Sequence, residues 1–389
     1  MTVRVGVAMR SPMVQRYTMG PFEDTEIVRT YDLAGLLRGV KRQITGTSKI
    51  KATDFSNTIH GIHLLPRVHL LHLFNTLSIG HLPYVVTYEH YLPRWSSSSR
   101  YGLSRMAHPS CRRLIAMSQF AYRYQLSLLA QHGGRGEPIE RKLTVLHPSQ
   151  PLTVDSYDQK ALDEGLIRCV FVGRDFFRKG GREVLTVFQQ LIQEGLPLDL
   201  TVVSSLDAGD YASHATAEDR ERARRQLEQG SPSGIVYHSE LPNEEVLRLM
   251  RRSHLALLPT YDDTYGFSVL EAQAAGCPVI TTDVCVMPEI SGPAVGWTLE
   301  VEKDAHGVAR LRSKAERTRL SERIRNGLEG TLREICRSPH QVREKGIRAL
   351  ERISRMHDPA SVARAMESIY SEALSAASQQ RNPSAHKNL

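Results

Sequence analysis

The stretch Phe-Val-Gly-Arg-Asp-Phe-Phe-Arg-Lys-Gly-Gly at residues 171–181 decides the fold. An apolar strand ends at Gly173, Arg174 follows, and Lys179 stands five positions later, before two glycines and a helical pattern. A strand that runs directly into a helix is the unit of an open parallel α/β sheet, which binds ligands at its carboxyl edge. Arg174 can grip two phosphate oxygens, Lys179 adds a mobile charge, and the glycines let backbone approach closely. The alternative is an ordinary loop with surface charges.

A second stretch, LLPTYDDTYGFSVLEA at residues 257–272, has the same strand, turn and helix pattern. The turn contains Gly266, and the N–H groups and positive dipole of the helix that follows favour an anionic diphosphate. Asp263 precedes the turn, and Glu271 lies eight positions later, within the helix. Two carboxylates that flank a phosphate cradle suit two sets of hydroxyl groups, one on a sugar and one on a ribose.

Short apolar runs alternate with longer amphipathic runs along the whole chain. Strands are predicted at residues 3–9, 68–74, 84–88, 114–117, 143–146, 168–172, 198–203, 235–237, 255–258 and 278–282. Helices between them are predicted at residues 183–194, 243–252 and 268–275. Continuous apolar strands are typical of a parallel sheet that helices cover on both faces.

The length of 389 residues suits two domains. The hydrophobic pattern lapses at residues 148–165, which predicts a boundary there. We therefore expect an α/β protein with two Rossmann-like parallel-sheet domains facing across a cleft, at residues 1–150 and 166–355. A last helix is predicted after Asp358 as its N-cap, and residues 376–389 are expected to form a flexible tail.

The formal charge of +8 favours anionic partners. Lysine and arginine are dispersed without a compact basic run, so nucleic acid is not an expected partner. Nucleotide diphosphates and the anionic face of a membrane are candidates. The sequence has no long apolar run or export signal, so we expect a cytoplasmic protein, with peripheral contact at the inner face of the membrane as an open alternative. The five cysteines lack the spacing of zinc or redox sites.

The sixteen histidines do not follow the spacing of a metal site. Two pairs of histidines stand close together, at residues 60–63 and 69–72, and we expect both to be incidental. His147 and His238 lie beside predicted strands, where a hydrogen-bonded scaffold role is more common than catalysis. No metal site is predicted.

Residues 166–289 resemble the retaining glycosyltransferases of family four, glycosyl transferases group 1, which adopt the B-type double-Rossmann fold. The resemblance is carried by Arg174 with Lys179, by Asp263 and Glu271 with seven residues between them, by AAGCPVI at 274–280, and by IVYHSELPNEE at 235–245. It implies the GT-B architecture for the whole chain.

The resemblance also implies roles for the four charged residues. Arg174 and Lys179 would hold the diphosphate of a nucleotide-sugar donor. Asp263 would orient hydroxyl groups of the donor sugar, and Glu271 would bind the ribose. The sequence departs from the family pattern at Asp263, where glutamate is commoner, and the shorter side chain leaves the identity of the sugar open.

The other donor-binding positions that the resemblance implies are Gly173, Gly266, Phe267 and Ser268, through backbone groups. The stretch TYEHYLP at residues 87–93 resembles a strand end of the family with a histidine near the donor sugar. It implies that His90 contacts the sugar near the reacting carbon, and a structural histidine is the alternative. The glycine-rich first loop of the family is absent after Met9. A helix at residues 357–375 would cross back onto the first domain.

The expected function is transfer of a sugar from a nucleotide-diphosphate sugar to an unidentified acceptor, with retention of anomeric configuration and without a metal or other cofactor. The acceptor would be a carbohydrate, a lipid-linked molecule or a small molecule in polysaccharide or glycoconjugate biosynthesis. Two alternatives remain open. One is a nucleotide-sugar epimerase, and the other is a non-catalytic protein that binds a nucleotide sugar or acts as a scaffold.

Overall fold

A computed structural model describes residues 2–8, 12–30, 67–78, 80–93, 99–160, 165–209, 211–228 and 234–381. The chain divides into two compact units. Unit 1 consists of Met1–Ser149 and His357–Leu389, and unit 2 consists of Gln150–Met356. Each unit contains a six-stranded parallel sheet with helices, so the predicted α/β class with two Rossmann-like parallel sheets is confirmed.

The sheet of unit 1 has the strand order β2-β1-β3-β4-β5-β6. Its strands are β1 (Val3–Ala8), β2 (Thr25–Thr30), β3 (Leu70–Phe74), β4 (Tyr84–Tyr88), β5 (Cys111–Ala116) and β6 (Leu143–Val145). The sequence predicted all of these except β2, with small differences at the ends. β2 lies at an edge of the sheet and alternates exposed and buried residues, so it lacks the continuous apolar run by which the other strands are predicted.

The first helices of unit 1 are α1 (Pro12–Thr18), α2 (Ser99–Ala107), α3 (Gln119–Ala130) and α4 (Glu137–Glu140). α3 begins after Ser118, whose side-chain oxygen accepts a hydrogen bond from the N–H of Ala121 at 3.0 Å. This N-cap satisfies one of the free N–H groups of the first turn. Gln125 of α3 bonds both backbone groups of Leu92, which holds the segment after β4 against the helix.

The sheet of unit 2 has the order β12-β11-β10-β7-β8-β9. Its strands are β7 (Ile167–Val172), β8 (Leu198–Val203), β9 (Ile235–His238), β10 (Leu255–Leu258), β11 (Val279–Thr282) and β12 (Gly296–Leu299). The chain runs outward from β7 to β9, returns to β10 beside β7, and runs outward again to β12. The strand order thus reverses between β7 and β10, and ligands of open α/β sheets bind at the carboxyl ends of such a pair.

The helices of unit 2 are α5 (Gly181–Gln193), α6 (Ala217–Glu228), α7 (Asn243–Arg251), α8 (Phe267–Ala274), α9 (Met287–Ile290), α10 (Lys314–Arg337) and α11 (His340–Met356). The three helices that the sequence predicted here correspond to α5, α7 and α8. α10 starts with a capping box in which Ser313 and Glu316 satisfy each other's backbone N–H groups. The edge strand β12 was not predicted, because glycine and threonine interrupt its apolar pattern.

The last helix, α12 (Pro359–Arg381), belongs to unit 1. Asp358 accepts a hydrogen bond from the N–H of Ser361 at 2.8 Å, which confirms its predicted role as N-cap. The helix continues past the end expected at residue 375, and residues 382–389 lie outside the described part of the chain.

A buried histidine connects α12 to the sheet of unit 1. The ring nitrogens of His72 on β3 form hydrogen bonds with the hydroxyl of Tyr370 at 2.8 Å and with the hydroxyl of Thr87 at 2.7 Å. Burial lowers the pKa of His72 to about 3, so the ring is neutral at physiological pH. His72 therefore has a structural role in the fold.

Candidate functional site

Two loops of unit 2 follow the strands at which the strand order reverses. The first comprises residues 173–181 after β7, and the second comprises residues 259–268, which run from the end of β10 into α8. We call them together the switch-point site. The carbonyl oxygen of Arg178 accepts hydrogen bonds from the N–H of Tyr261 at 2.8 Å and from the hydroxyl of Thr260 at 3.2 Å. Backbone and side-chain bonds thus hold the two loops together.

Glycines allow the two loops to approach each other. Gly180 has φ +79°, and a Cβ there would lie 2.2 Å from the carbonyl oxygen of Pro259. A Cβ on Gly181 would lie 2.3 Å from the ring of Phe176. The structure gives Gly180 a packing role between the two loops and Gly181 a packing role within the first loop. The close approach of phosphate to their backbone, which the sequence predicts, stays a prediction.

An ion pair joins the loops at their centre. The Lys179 ammonium lies 3.2 Å from Oδ2 of Asp263, and the two side chains are only 16% and 10% exposed. Gly173 makes room for this lysine, because a Cβ there would lie 2.4 Å from Lys179 Cδ. The switch-point site thus holds a nearly buried cation at a fixed place.

Asp263 also fixes the start of α8. Its Oδ1 accepts hydrogen bonds from the N–H groups of Gly266 at 3.0 Å and Tyr265 at 3.3 Å. Burial alone would raise the pKa of Asp263, but the charges of Lys179 and Arg178 and these hydrogen bonds bring it below its usual value. The carboxylate is therefore ionised at physiological pH.

Arg174 differs sharply from Lys179. Its side chain is 89% exposed, and its nearest carboxylate, Asp207, lies at the limit of an ion pair at 4.0 Å. Its backbone is fixed, because its carbonyl oxygen accepts the N–H of Asp207 at 3.0 Å. The guanidinium can therefore turn toward an anionic ligand at little cost in lost protein contacts.

The N-terminus of α8 adds backbone donors to the switch-point site. Gly266 is the N-cap with φ +77° and provides no side-chain cap, so N–H groups of the first turn can face a ligand. The Ser268 side chain faces a small interior space beside Val170 and Val172, so only its backbone can take part. Glu271 is half-buried and lies four positions after Phe267, on the same face of α8.

Arg178 was missed by the sequence interpretation. Its side chain forms an ion pair with Asp175 at 2.7 Å and donates a hydrogen bond to the carbonyl oxygen of Asp262 at 2.6 Å. Burial opposes its charge, but the carboxylates of Asp263 and Asp175 raise its pKa above the usual value. Arg178 thus clamps one loop to the other beside the ion pair of Lys179. Only the local spacing of Asp175 and Arg178 signals this in the sequence.

Asp262 was also passed over, and the structure gives it a scaffold role. Its carboxylate accepts hydrogen bonds from the hydroxyl of Tyr211 and from the thiol of Cys285, the latter at 3.2 Å. Burial and this carboxylate raise the pKa values of both partners well above their usual range. Of the two adjacent aspartates, Asp262 supports the loop, and Asp263 pairs with Lys179.

His90 lies in unit 1, just after β4. Its ring is 4.4 Å from the ring of Tyr124 and 5.5 Å from that of Phe120, measured between centroids. This aromatic packing fits a structural histidine, and the contact to a sugar stays a prediction. His147 packs against His357, and the pair at residues 60–63 and the loop at 9–11 lie outside the described residues.

The part of the chain that the structure describes has neither a cluster of metal ligands nor a membrane-spanning helix. In that part of the chain, no group of three or more histidine, cysteine, aspartate and glutamate side chains is arranged to hold a metal ion. Within the same residues, no helix has the length and apolar character needed to cross a membrane.

Comparison with known proteins identifies the class. The fold is that of B-type glycosyltransferases. A glycosyltransferase from Rickettsia africae matches with a TM-score of 0.58 and 15% identity, over 96% of this chain and 98% of that chain. HepE from Anabaena, solved with UDP-glucose, matches with a TM-score of 0.57 and 11% identity, over 95% and 100%. At these identities the likeness concerns the fold.

A family model matches part of the chain. Residues 155–327, which include the whole switch-point site, match the model of glycosyl transferases group 1. Glycogen synthase of Mycobacterium tuberculosis is 26% identical over 172 residues, which are 40% of this chain and 39% of that enzyme. The chain thus spans well under half of the length of this curated relative.

We predict that the two arginines contribute unequally to stability. Arg178→Gln removes the ion pair with Asp175 and the hydrogen bond of the guanidinium to the carbonyl of Asp262, which keeps only the hydroxyl of Thr260 as a side-chain donor. It should therefore lower the free energy of unfolding by about 1–3 kcal/mol. Arg174→Gln, the matched control in the same loop, should change it by less than about 0.5 kcal/mol, because its side chain is exposed. Urea denaturation measures both. Equal changes in the free energy of unfolding of the two variants would contradict the role of Arg178 in clamping the two loops together.

Proposed function

We propose that the protein is a glycosyltransferase that moves a sugar from a nucleotide-diphosphate sugar to an acceptor. One observation carries the proposal: the exposed Arg174, the fixed Lys179 and the N-terminus of α8 converge where the strand order reverses. Breaking the bond between an anomeric carbon and a diphosphate develops negative charge on the leaving oxygen. Two cations and a helix dipole stabilise that charge.

Each residue of the switch-point site has a role in this proposal. Arg174 turns onto the diphosphate, and Lys179, held beside Asp263, donates a further N–H to the phosphate oxygens. Asp263 keeps the start of α8 in place through Oδ1 and presents Oδ2 to hydroxyl groups of the sugar. Glu271 accepts hydrogen bonds from the ribose. Backbone groups at Gly173, Gly266, Phe267 and Ser268 complete the donor site.

We propose retention of anomeric configuration, as the resemblance implies. In a front-face substitution the leaving phosphate helps to deprotonate the incoming hydroxyl, so the protein needs no separate carboxylate base. The two cations neutralise the diphosphate, and the reaction then requires no metal. His90 of unit 1 would contact the sugar near the reacting carbon. UDP-glucose, which HepE binds, is the first donor to test.

The acceptor is proposed to bind unit 1 and to be a carbohydrate, a lipid-linked molecule or a small molecule. The charge distribution supports an anionic acceptor or an anionic surface. Unit 1 has 22 lysines and arginines against 11 aspartates and glutamates, a formal net charge of +11. Unit 2 has 28 against 31, a net charge of −3. A cytoplasmic protein in peripheral contact with the membrane during glycoconjugate synthesis fits this asymmetry.

Donor binding tests the proposal directly. A thermal-shift screen of UDP, GDP, ADP and dTDP with their sugars should show stabilisation by one nucleotide family. Arg174→Ala and Glu271→Ala should each weaken binding about 10- to 100-fold, because each removes hydrogen bonds that involve a charged group. Arg312→Ala, an exposed arginine of unit 2, is the control and should bind like the parent protein. Binding that survives in Arg174→Ala would contradict the site.

The chemistry needs a second experiment. With an α-linked donor, NMR of the product should show an α linkage, and Lys179→Ala should lower kcat about 100- to 1000-fold. A β-linked product would overturn retention. Conversion of the donor without an acceptor would identify an epimerase. Donor binding without turnover over a broad acceptor panel would favour the non-catalytic alternative.

A further inference from the structure

Unit 1 contains a pocket of about 540 Å³ beside α2. It is lined by Arg100, Leu103, Ser104, Ala107, His132, Arg135 and Pro138. These residues come from α2, from the turn after α3 and from the start of α4. They belong to one unit, and none of them takes part in the proposed donor site.

The rim of the pocket is basic. Arg100, His132 and Arg135 are exposed, and no residue that lines the pocket is acidic. Within the described part of the chain, the two arginines form no ion pair. Cations that converge without a carboxylate repel one another, and an anion between them relieves that repulsion.

Nearby cations are used differently. Arg105 donates hydrogen bonds to the carbonyl groups of Ser78 and Gly80. Lys142 donates three to the carbonyl groups that end α2, at 2.8 to 2.9 Å. Arg141 pairs with the carboxylate of Glu137. These three support the fold, whereas Arg100 and Arg135 are left to bind a ligand.

The wall of the pocket is apolar. Leu103, Ala107 and Pro138 provide carbon surface in the same pocket as the two arginines. Tyr101, the neighbour of Arg100 on α2, is 46% exposed. A free inorganic anion would use only the rim. A phosphate group attached to an apolar chain would use rim and wall together, and an exposed aromatic ring suits the interface between membrane and water.

We propose that this pocket binds the phosphate headgroup of an anionic lipid and so docks unit 1 on a membrane surface. The proposal deepens the peripheral contact in the proposed function and rests on it. The excess positive charge of unit 1 would attract the surface over a distance, and the pocket would then fix the position of one lipid. The ligand assigned to the pocket is thus the headgroup of an anionic phospholipid.

Vesicle co-sedimentation without any donor tests the proposal. We expect the full-length protein to bind vesicles of phosphatidylcholine mixed equally with phosphatidylglycerol, and not vesicles of phosphatidylcholine alone. Arg100→Gln combined with Arg135→Gln should weaken binding about 10- to 30-fold, since each basic residue near such a surface contributes on the order of 1 kcal/mol. Arg29→Gln combined with Arg123→Gln removes the same charge from exposed positions elsewhere on unit 1, and it should weaken binding less than about threefold.

Three results would overturn the proposal. Equal losses in the two double variants would mean that only overall charge matters. Absence of vesicle binding by the parent protein would exclude an anionic membrane surface as the partner of unit 1. Full competition by soluble glycerol 3-phosphate would show a free-phosphate site. The nucleotide thermal shift, measured on the same variants, shows whether they are folded and separates failure of this docking site from failure of the proposed function.

Discussion

The ion pair between Lys179 and Asp263 is the interaction on which the switch-point site depends. It joins the loops after β7 and β10, and the two side chains are 16% and 10% exposed. Removing two charges from water costs several kcal/mol for each ion unless hydrogen bonds compensate. Here the compensation comes from the N–H groups of Gly266 and Tyr265, which bond the carboxylate.

The three cations of the first loop have different roles. Arg178 binds Asp175 and a carbonyl of the second loop, so it holds the two loops at a fixed distance. Lys179 lies between them on Asp263, and Arg174 points into solvent. A dianionic ligand can therefore recruit one preformed cation and one mobile cation without loss of the clamp. Such preorganisation makes electrostatic stabilisation effective, because little reorganises during the reaction.

The sequence predicted the parts of the fold that continuous apolar strands encode. β7 and β10 are almost wholly buried, so their apolar runs located the central pair of unit 2. Two of the four edge strands in the described part of the chain, β2 and β12, were not predicted, because polar residues interrupt their apolar pattern and an edge strand has a face that need not be apolar. The spacing of Asp263 and Glu271 located the second loop, because both belong to one local turn and helix.

What the sequence could not predict depends on contacts between distant residues. Arg178 donates a hydrogen bond to the carbonyl oxygen of Asp262, which lies 84 positions away in the sequence. Gly180 packs against Pro259, which is also distant in the sequence. Locally, only the spacing of three positions from Asp175 distinguishes Arg178 from Arg174, although one is clamped and the other exposed. The same holds for Asp262, whose carboxylate is satisfied by Tyr211 and Cys285 from other loops.

Hydrogen–deuterium exchange tests most directly the claim that the switch-point site binds the diphosphate. The nucleoside diphosphate that stabilises the protein would be added, and exchange would be followed along unit 2. The account predicts protection of residues 173–181 and 259–271, with Arg174→Ala abolishing it at the same ligand concentration. Protection confined to other segments of unit 2 would contradict the account.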